Sequence, residues 1–230
     1  MYTDLAWECL RRNPDYIREW NKVRTKYQVC SIQEDYDLVA STNWGLLKFN
    51  DPFDKSAQNV FWDYRYSKRS LRVKIEVPSE QVSNVRLEGV GEGNFQKKTL
   101  ILLNGEHCIK LYNEHNYIQL FVSDLNDDEM LKKGTIYLEI NNYDTSSLKR
   151  LLDFLLFGLG CQIWKKEIIK SLIVYDLSLN GMTHKQIASS IYGEHIAHTE
   201  WSSDSWLRAR IRYKLKKAQE AIMGGHYIYL

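Results

Sequence analysis

The sequence has little in it that would break or staple a chain. Only 3 prolines and 12 glycines occur among 230 residues, so a long disordered tract is not expected. The 4 cysteines, Cys9, Cys30, Cys108 and Cys161, form no CxxC pair. Such wide spacing argues against a zinc ribbon or a disulfide framework and for buried thiols in a reducing compartment. The opening residues Met1-Tyr2-Thr3-Asp4-Leu5 lack the basic segment and apolar run of a signal peptide. The longest apolar stretch, Leu151–Ile163, is broken by Asp153, Gly158, Gly160 and Gln162, too often for a bilayer span. A cytoplasmic protein with no membrane partner is expected.

Aromatic residues are plentiful, with 15 Tyr and 7 Trp. Hydrophobic residues at 44% and charged residues at 26% are ordinary for a globular chain of one large or two modest domains. Net charge is +2, unevenly placed. Residues 145–230 hold 12 Lys and Arg against 7 Asp and Glu, while the remainder holds 19 against 22. A basic C-terminal part points to a polyanionic partner.

Periodicity separates three segments and an α+β fold class: an N-terminal helical segment, an antiparallel β middle and a C-terminal helical domain of helix-turn-helix type. In 1–70, Thr3 or Asp4 can cap a short helix through Leu10–Arg11. Asn13-Pro14 then starts a second helix, with Tyr16, Ile17, Trp20 and Val23 on one face. The aromatic set Trp7, Tyr16, Trp20, Trp44, Phe61 and Trp62 reads as core, with some rings at a subunit interface. In 71–143, Leu71–Val77, Val85–Val90, Thr99–Leu103, Cys108–Tyr112, Tyr117–Val122 and Thr135–Ile140 alternate as strands, and Asn104-Gly105 marks a hairpin. Short connections predict antiparallel pairing.

In 144–230, Ser146 or Ser147 can cap a helix through Leu155. A second helix spans Trp164–Asn180, with Ile168, Ile169, Leu172, Ile173, Leu177 and Leu179 inward, and Gly181 after it. Thr183-His184-Lys185-Gln186 fits a capping box for a short helix through Tyr192, followed by a loop of about ten residues, Gly193–Ser202. Ser203 then caps a long helix through Met223, whose inward stripe is Leu207, Ile211, Leu215 or Lys214, Ala218 and Ile222. Arg208, Arg210, Arg212, Lys214, Lys216 and Lys217 face one acid, Glu220, in that helix. A solvated helix usually interleaves signs, so phosphates are the expected counter-charge. A short braced helix before a long basic one is the order of a helix-turn-helix module, although the usual turn is only three or four residues. The expected contacts to double-stranded DNA are Lys185, Ser203, Ser205, Arg208, Arg210, Arg212 and Lys216, with the start of the long helix deepest in the groove.

No catalytic constellation accompanies them, and no enzyme, metal site or cofactor is expected. His195, His198 and Glu200 have the wrong order for a zinc helix. His107 and Cys108 are strand neighbours that point to opposite faces. Gly89–Gly93 lacks the strand-to-helix setting of a phosphate loop, and Asp124, Asp127, Asp128 and Glu129 lack EF-hand spacing.

Two groups of residues also resemble a known family. Trp7-Glu8-Cys9-Leu10-Arg11-Arg12-Asn13-Pro14-Asp15-Tyr16, Trp44-Gly45-Leu46 and Val60-Phe61-Trp62 are similar to the N-terminal transcriptional-regulator-like domain of many proteobacteria. Thr183–Ala188, Trp201, Ser203-Asp204, Leu207-Arg208 and Met223-Gly224-Gly225-His226-Tyr227 resemble the variant helix-turn-helix domain usually joined to it. The resemblance implies an activator of secretion or mobile-element genes that assembles into a homo-oligomer, a hexamer in one relative type. It binds promoter DNA, with RNA polymerase as a further partner. Such domains also occur as antiactivators, which bind a protein instead.

Overall fold

The computed structural model describes residues 4–27, 39–40, 42–76, 96–114, 116–123, 135–137 and 162–230. The readings on Val85–Val90, Gly89–Gly93, Asp124–Glu129 and the helix capped at Ser146 or Ser147 lie outside them, as do Cys30 and Cys161. The chain is α+β and divides into two compact units. One comprises Met1–Asp4, Asp15–Gly160 and Leu230; the other comprises Leu5–Pro14 and Cys161–Tyr229.

The first unit contains helix α2 (Pro14–Tyr27) apart from its first residue, and strands β1 (Ser70–Glu76), β2 (Gln96–Ile101), β3 (His107–Tyr112), β4 (Tyr117–Val122) and β5 (Thr135–Tyr137). They form one sheet in the order β2-β3-β4-β1-β5. β2–β3, β3–β4 and β1–β5 pair antiparallel, as expected, but β1 and β4 run parallel. A parallel pair needs a long connection. Here it is supplied by the chain that carries the β2–β3 hairpin, which local spacing does not reveal.

Every residue of β4 is buried, so both faces of the sheet centre are covered. On one face the chain between Gly45 and Ser67, whose regular structure is a 3-10 turn at Ala57–Asn59 and a bridge between Leu46 and Trp62, is held by side chains of the sheet. Gln119 accepts from the Trp62 amide (2.9 Å) and donates to the Trp62 carbonyl (2.7 Å), reproducing a strand partner. The Lys110 ammonium, fully buried, donates to the carbonyls of Ala57 (2.8 Å) and Val60 (2.7 Å) and lies over the Tyr117 ring. The Trp62 indole donates to Asp4 Oδ2 at 2.8 Å. α2 is tied down by Tyr16, whose hydroxyl donates to the Asn50 carbonyl and accepts from its amide while the ring packs on Trp44 and Phe49. Trp7, Tyr16, Phe61 and Trp62 are buried as the sequence suggested; Trp20 and Trp44 are half-buried.

The second unit is helical: α1 (Leu5–Leu10), α3 (Gln162–Leu179), α4 (His184–Tyr192), α5 (Glu194–Thr199), α6 (Trp206–Ile222) and a 3-10 turn at Gly225–Tyr229. Two apolar clusters hold it. Leu5 and Cys9 of α1 meet Ile168, Leu172, Ala218, Ala221 and Ile222. Val174, Ile187, Ala188, Ala197 and Ile211 form the other.

Four local expectations change here. Six of the ten residues Gly193–Ser202 form a helix rather than a loop: Gly193, at φ 94°, turns the chain directly into α5. The hydroxyl capping α6 belongs to Ser205, not Ser203. Ile173 and Leu179 are exposed, because Ile173 lies across the helix from Ile168 and Leu172, and Leu179 ends it beyond both clusters. Of the two residues left open for the inward stripe, Lys214 is buried and Leu215 half-buried, so Lys214 leaves the basic face.

Candidate nucleic-acid interface

The capping box predicted for α4 is present. Thr183 Oγ1 accepts from the Gln186 amide, and Gln186 Oε1 accepts from the Thr183 amide at 2.8 Å. Two otherwise unsatisfied amides are thereby bonded and the start of α4 is fixed. Ile187 and Ala188 then point into the cluster that also receives Ile211 of α6. α4 thus braces the basic helix, and Lys185 stands exposed on its outer side.

The inward residues of α6 are Leu207, Ile211, Lys214, Ala218, Ala221 and Ile222. Arg208, Ala209, Arg210, Arg212, Tyr213 and Lys216 are exposed, and Lys217 is half-buried. Lys214 Nζ reaches Glu167 Oε2 at 3.2 Å. That hydrogen bond is the main reason the Glu167 carboxyl titrates below its ordinary range, with smaller contributions from Lys170 and Arg210. Arg208, Arg210 and Arg212 make no ion pair among the described residues, and Lys216 only approaches Glu220, at 3.9 Å. The cations left for an outside partner are therefore Arg208, Arg210, Arg212, Lys216 and Lys217.

The start of α6 differs from its middle. Ser205 Oγ accepts from the Arg208 amide and donates to the Ser202 carbonyl, so its hydroxyl is already used. Ser203 is exposed in the turn before the helix, and its carbonyl receives Arg208 Nη1 at 3.5 Å. The Trp206 indole donates to Glu200 and its ring meets Tyr192 edge-on. Glu194, Glu200 and Asp204 are exposed on the approach. Cationic surface builds up only from Arg208 onward.

Sequence reasoning missed what the N-terminal motif does. Arg12 makes a two-pronged bond to Asp176 (2.8 and 2.7 Å) and also holds Glu8. Asn13 Nδ2 donates to the Ile222 carbonyl at 2.8 Å, satisfying an acceptor at the end of α6. The Gly-Gly-His-Tyr motif serves the same end: His226 is buried, and a Cβ on Gly225 would stand 2.6 Å from the Glu220 carbonyl oxygen. Residues 164 and 209 positions apart are joined by these bonds, which no local pattern signals.

His195, His198 and Glu200 are exposed on and just after α5. No group of three His, Cys, Asp or Glu among the described residues could hold a metal ion. Cys9 and Cys108 are free and buried, and burial pushes the Cys108 thiol far above its ordinary range. No described helix is long and apolar enough to cross a membrane.

Residues 1–49 match the model of the proteobacterial transcriptional regulator-like domain. The chain is thus similar, over that stretch, to a family of transcriptional regulators. The match takes in both α1, in the helical unit, and α2, whose residues from Asp15 on belong to the sheet unit. No curated protein gives a significant match to the chain.

Proposed function

We propose that this chain is a DNA-binding transcriptional regulator, not an enzyme, and that α6 with its brace α4 forms the DNA-reading surface. The observation that carries this reading is the excess of exposed cations on α6 from Arg208 to Lys217, where only Lys216 nears an acid of the helix, on a helix whose opposite side is packed. The regulator-like match over residues 1–49 supports the same reading. Arg208, Arg210, Arg212 and Lys185 contact phosphates of duplex promoter DNA, and Lys216 faces the same duplex. Ser203 and Ser205 lie at the border of that contact. In its finer form the proposal is a cytoplasmic activator of a secretion or mobile-element operon. It acts as a homo-oligomer, in which several weak modules gain by effective concentration, and it engages RNA polymerase at the promoter.

The test is a titration of the full chain against duplex DNA from upstream of its own neighbouring genes, at several salt concentrations, with sedimentation for subunit number. Affinity that falls steeply with salt, and falls further in Arg208→Ala/Arg212→Ala with helicity unchanged, supports the proposal. A salt-insensitive titration, or none, removes it. A second reading, an antiactivator that binds a protein, is favoured by the exposed apolar side chains Trp206, Met223 and Ile228 of the same unit. It predicts retention by a protein partner and none by DNA.

A further inference from the structure

The faces of α6 can be resolved more finely than into basic and buried. At about 100° per residue, Ala209 lies opposite Ala218, the centre of the packed side. Ala218 is fully buried and Ala209 is exposed. With Ala209 as the midline, Tyr213, Lys216 and Glu220 fall within roughly 40° of it. Arg208 and Arg212 lie on one shoulder, about 60–100° away, and Arg210 and Lys217 on the other, about 80–100° away. All are exposed except Lys217, which is half-buried beside the Tyr213 ring.

A helix in the major groove meets base edges with its midline and the two phosphate strands with its flanks. The α6 layout matches that division. Cations stand on both shoulders at a spacing suited to two charged walls, and the midline carries the smallest side chain at its head. Ala209 lets the backbone come close to base edges. Tyr213 offers an apolar ring for a thymine methyl and a hydroxyl that both donates and accepts. Lys216 can donate to guanine O6 and N7. Glu220, the one acid of the row, repels phosphate and marks where close contact stops.

We infer that Ala209, Tyr213 and Lys216 determine which duplex sequence this chain prefers, while Arg208, Arg212, Arg210 and Lys217 supply phosphate affinity without sequence preference. This inference rests on the DNA-binding reading and replaces the hydroxyls at the helix start as the base-reading group, since Ser205 is used as a cap.

The test is repeated selection of binders from a randomised duplex pool with the full chain. The variants are Tyr213→Ala, Ala209→Asn and Arg210→Ala/Lys217→Ala, each checked by circular dichroism. The unsubstituted chain should enrich one motif. Tyr213→Ala and Ala209→Asn should change or relax that motif at one or two base pairs, with roughly tenfold loss on the original motif and little change on random duplex. Arg210→Ala/Lys217→Ala should keep the motif, lose affinity for all duplexes alike and flatten the salt dependence by about two units of slope. If the unsubstituted chain enriches a motif and the two midline variants enrich the same one, the inference is overturned and the DNA reading stands. If the unsubstituted chain retains no duplex at low salt, the DNA reading has failed and the inference falls with it.

Discussion

Lys214 Nζ donates to Glu167 Oε2 at 3.2 Å, which takes one of the six cations of α6 out of reach of any partner. Lys214 is buried, and its ammonium finds an acid on α3. A basic residue on a basic helix is thus part of the packing.

Lys214→Ala should therefore behave as a core truncation. An unfolding free energy lowered by about 1–3 kcal/mol is expected, with no change in the salt slope of duplex binding. Arg212→Ala should do the opposite, staying within about 0.5 kcal/mol in stability and reducing the slope by about one. Measuring both quantities on both variants separates packing from phosphate contact. The sign for Glu167 also follows: its carboxyl is held below the ordinary range when folded, so its contribution is present above that range and fades as pH falls through it.

Lys110 gives the sheet unit an alkaline signature. Burial lowers its ammonium to about 8, against the opposing pull of Asp4. The unfolded chain keeps that proton to about 10.4, so between these values it binds more protons than the folded one and stability rises with pH. The rise is at most about 3 kcal/mol across the window, at about 1.4 kcal/mol per unit. Above it stability falls again, because burial holds Tyr16 and Tyr117 neutral in the folded chain while unfolded tyrosines ionise. Burial holds the Cys108 thiol neutral in the folded chain as well, which opposes this rise once an unfolded thiol ionises from about 8.5. In a Cys108→Ala background, urea midpoints at pH 7, 9 and 10 should therefore show the rise, and Lys110→Met should abolish it. A rise that survives the substitution would refute this origin.

Gln119→Leu should be among the costliest conservative changes in the sheet unit. It leaves the amide and carbonyl of Trp62 buried without their partner, at about 1–3 kcal/mol for each group. Gln119→Glu restores the acceptor but not the donor and should recover part of the loss. Equal stability of all three proteins in chemical denaturation would contradict the role assigned to this side chain.

A fragment of residues 162–230 should not hold its native fold alone, since Leu5 and Cys9 belong to one of its two clusters and Asn13 caps α6. Adding a peptide of residues 4–14 should raise its helicity in a saturable way, and a peptide carrying Asn13→Ala should bind more weakly. A fragment fully folded without the peptide would show that the N-terminal residues are dispensable.

Much of this architecture was legible in the sequence because it is local. The bounds of β4 match the predicted Tyr117–Val122, and the Thr183–Gln186 capping box forms as its spacing implied. The inward stripe of α6 followed from helical period alone, which left Leu215 or Lys214 open at one position; the acid on α3 is what settles it for Lys214. What stayed hidden is non-local or short. The parallel β1–β4 pair depends on a crossover, α5 has only six residues with two histidines, and Asn13 finds its acceptor at Ile222. For the candidate interface, the cations were visible as a list. Which residue sits at the midline became clear once Ala218 was seen at the centre of the packed side.

The bond from Asn13 to Ile222 also sets an order of events at the ribosome. Synthesis runs from the N-terminus, and domains tend to fold as they emerge. The sheet unit can gather while the chain is still growing, but α1 must wait through more than two hundred residues for α6 to leave the exit tunnel. Until then Trp7, Cys9 and Leu10, all buried in the finished protein, are exposed to whatever binds nascent chains. The helical unit, with its proposed DNA-reading surface, is therefore the last part of the molecule to be completed. A chain cut short before Ile222 could contain a finished sheet and no closed helical unit.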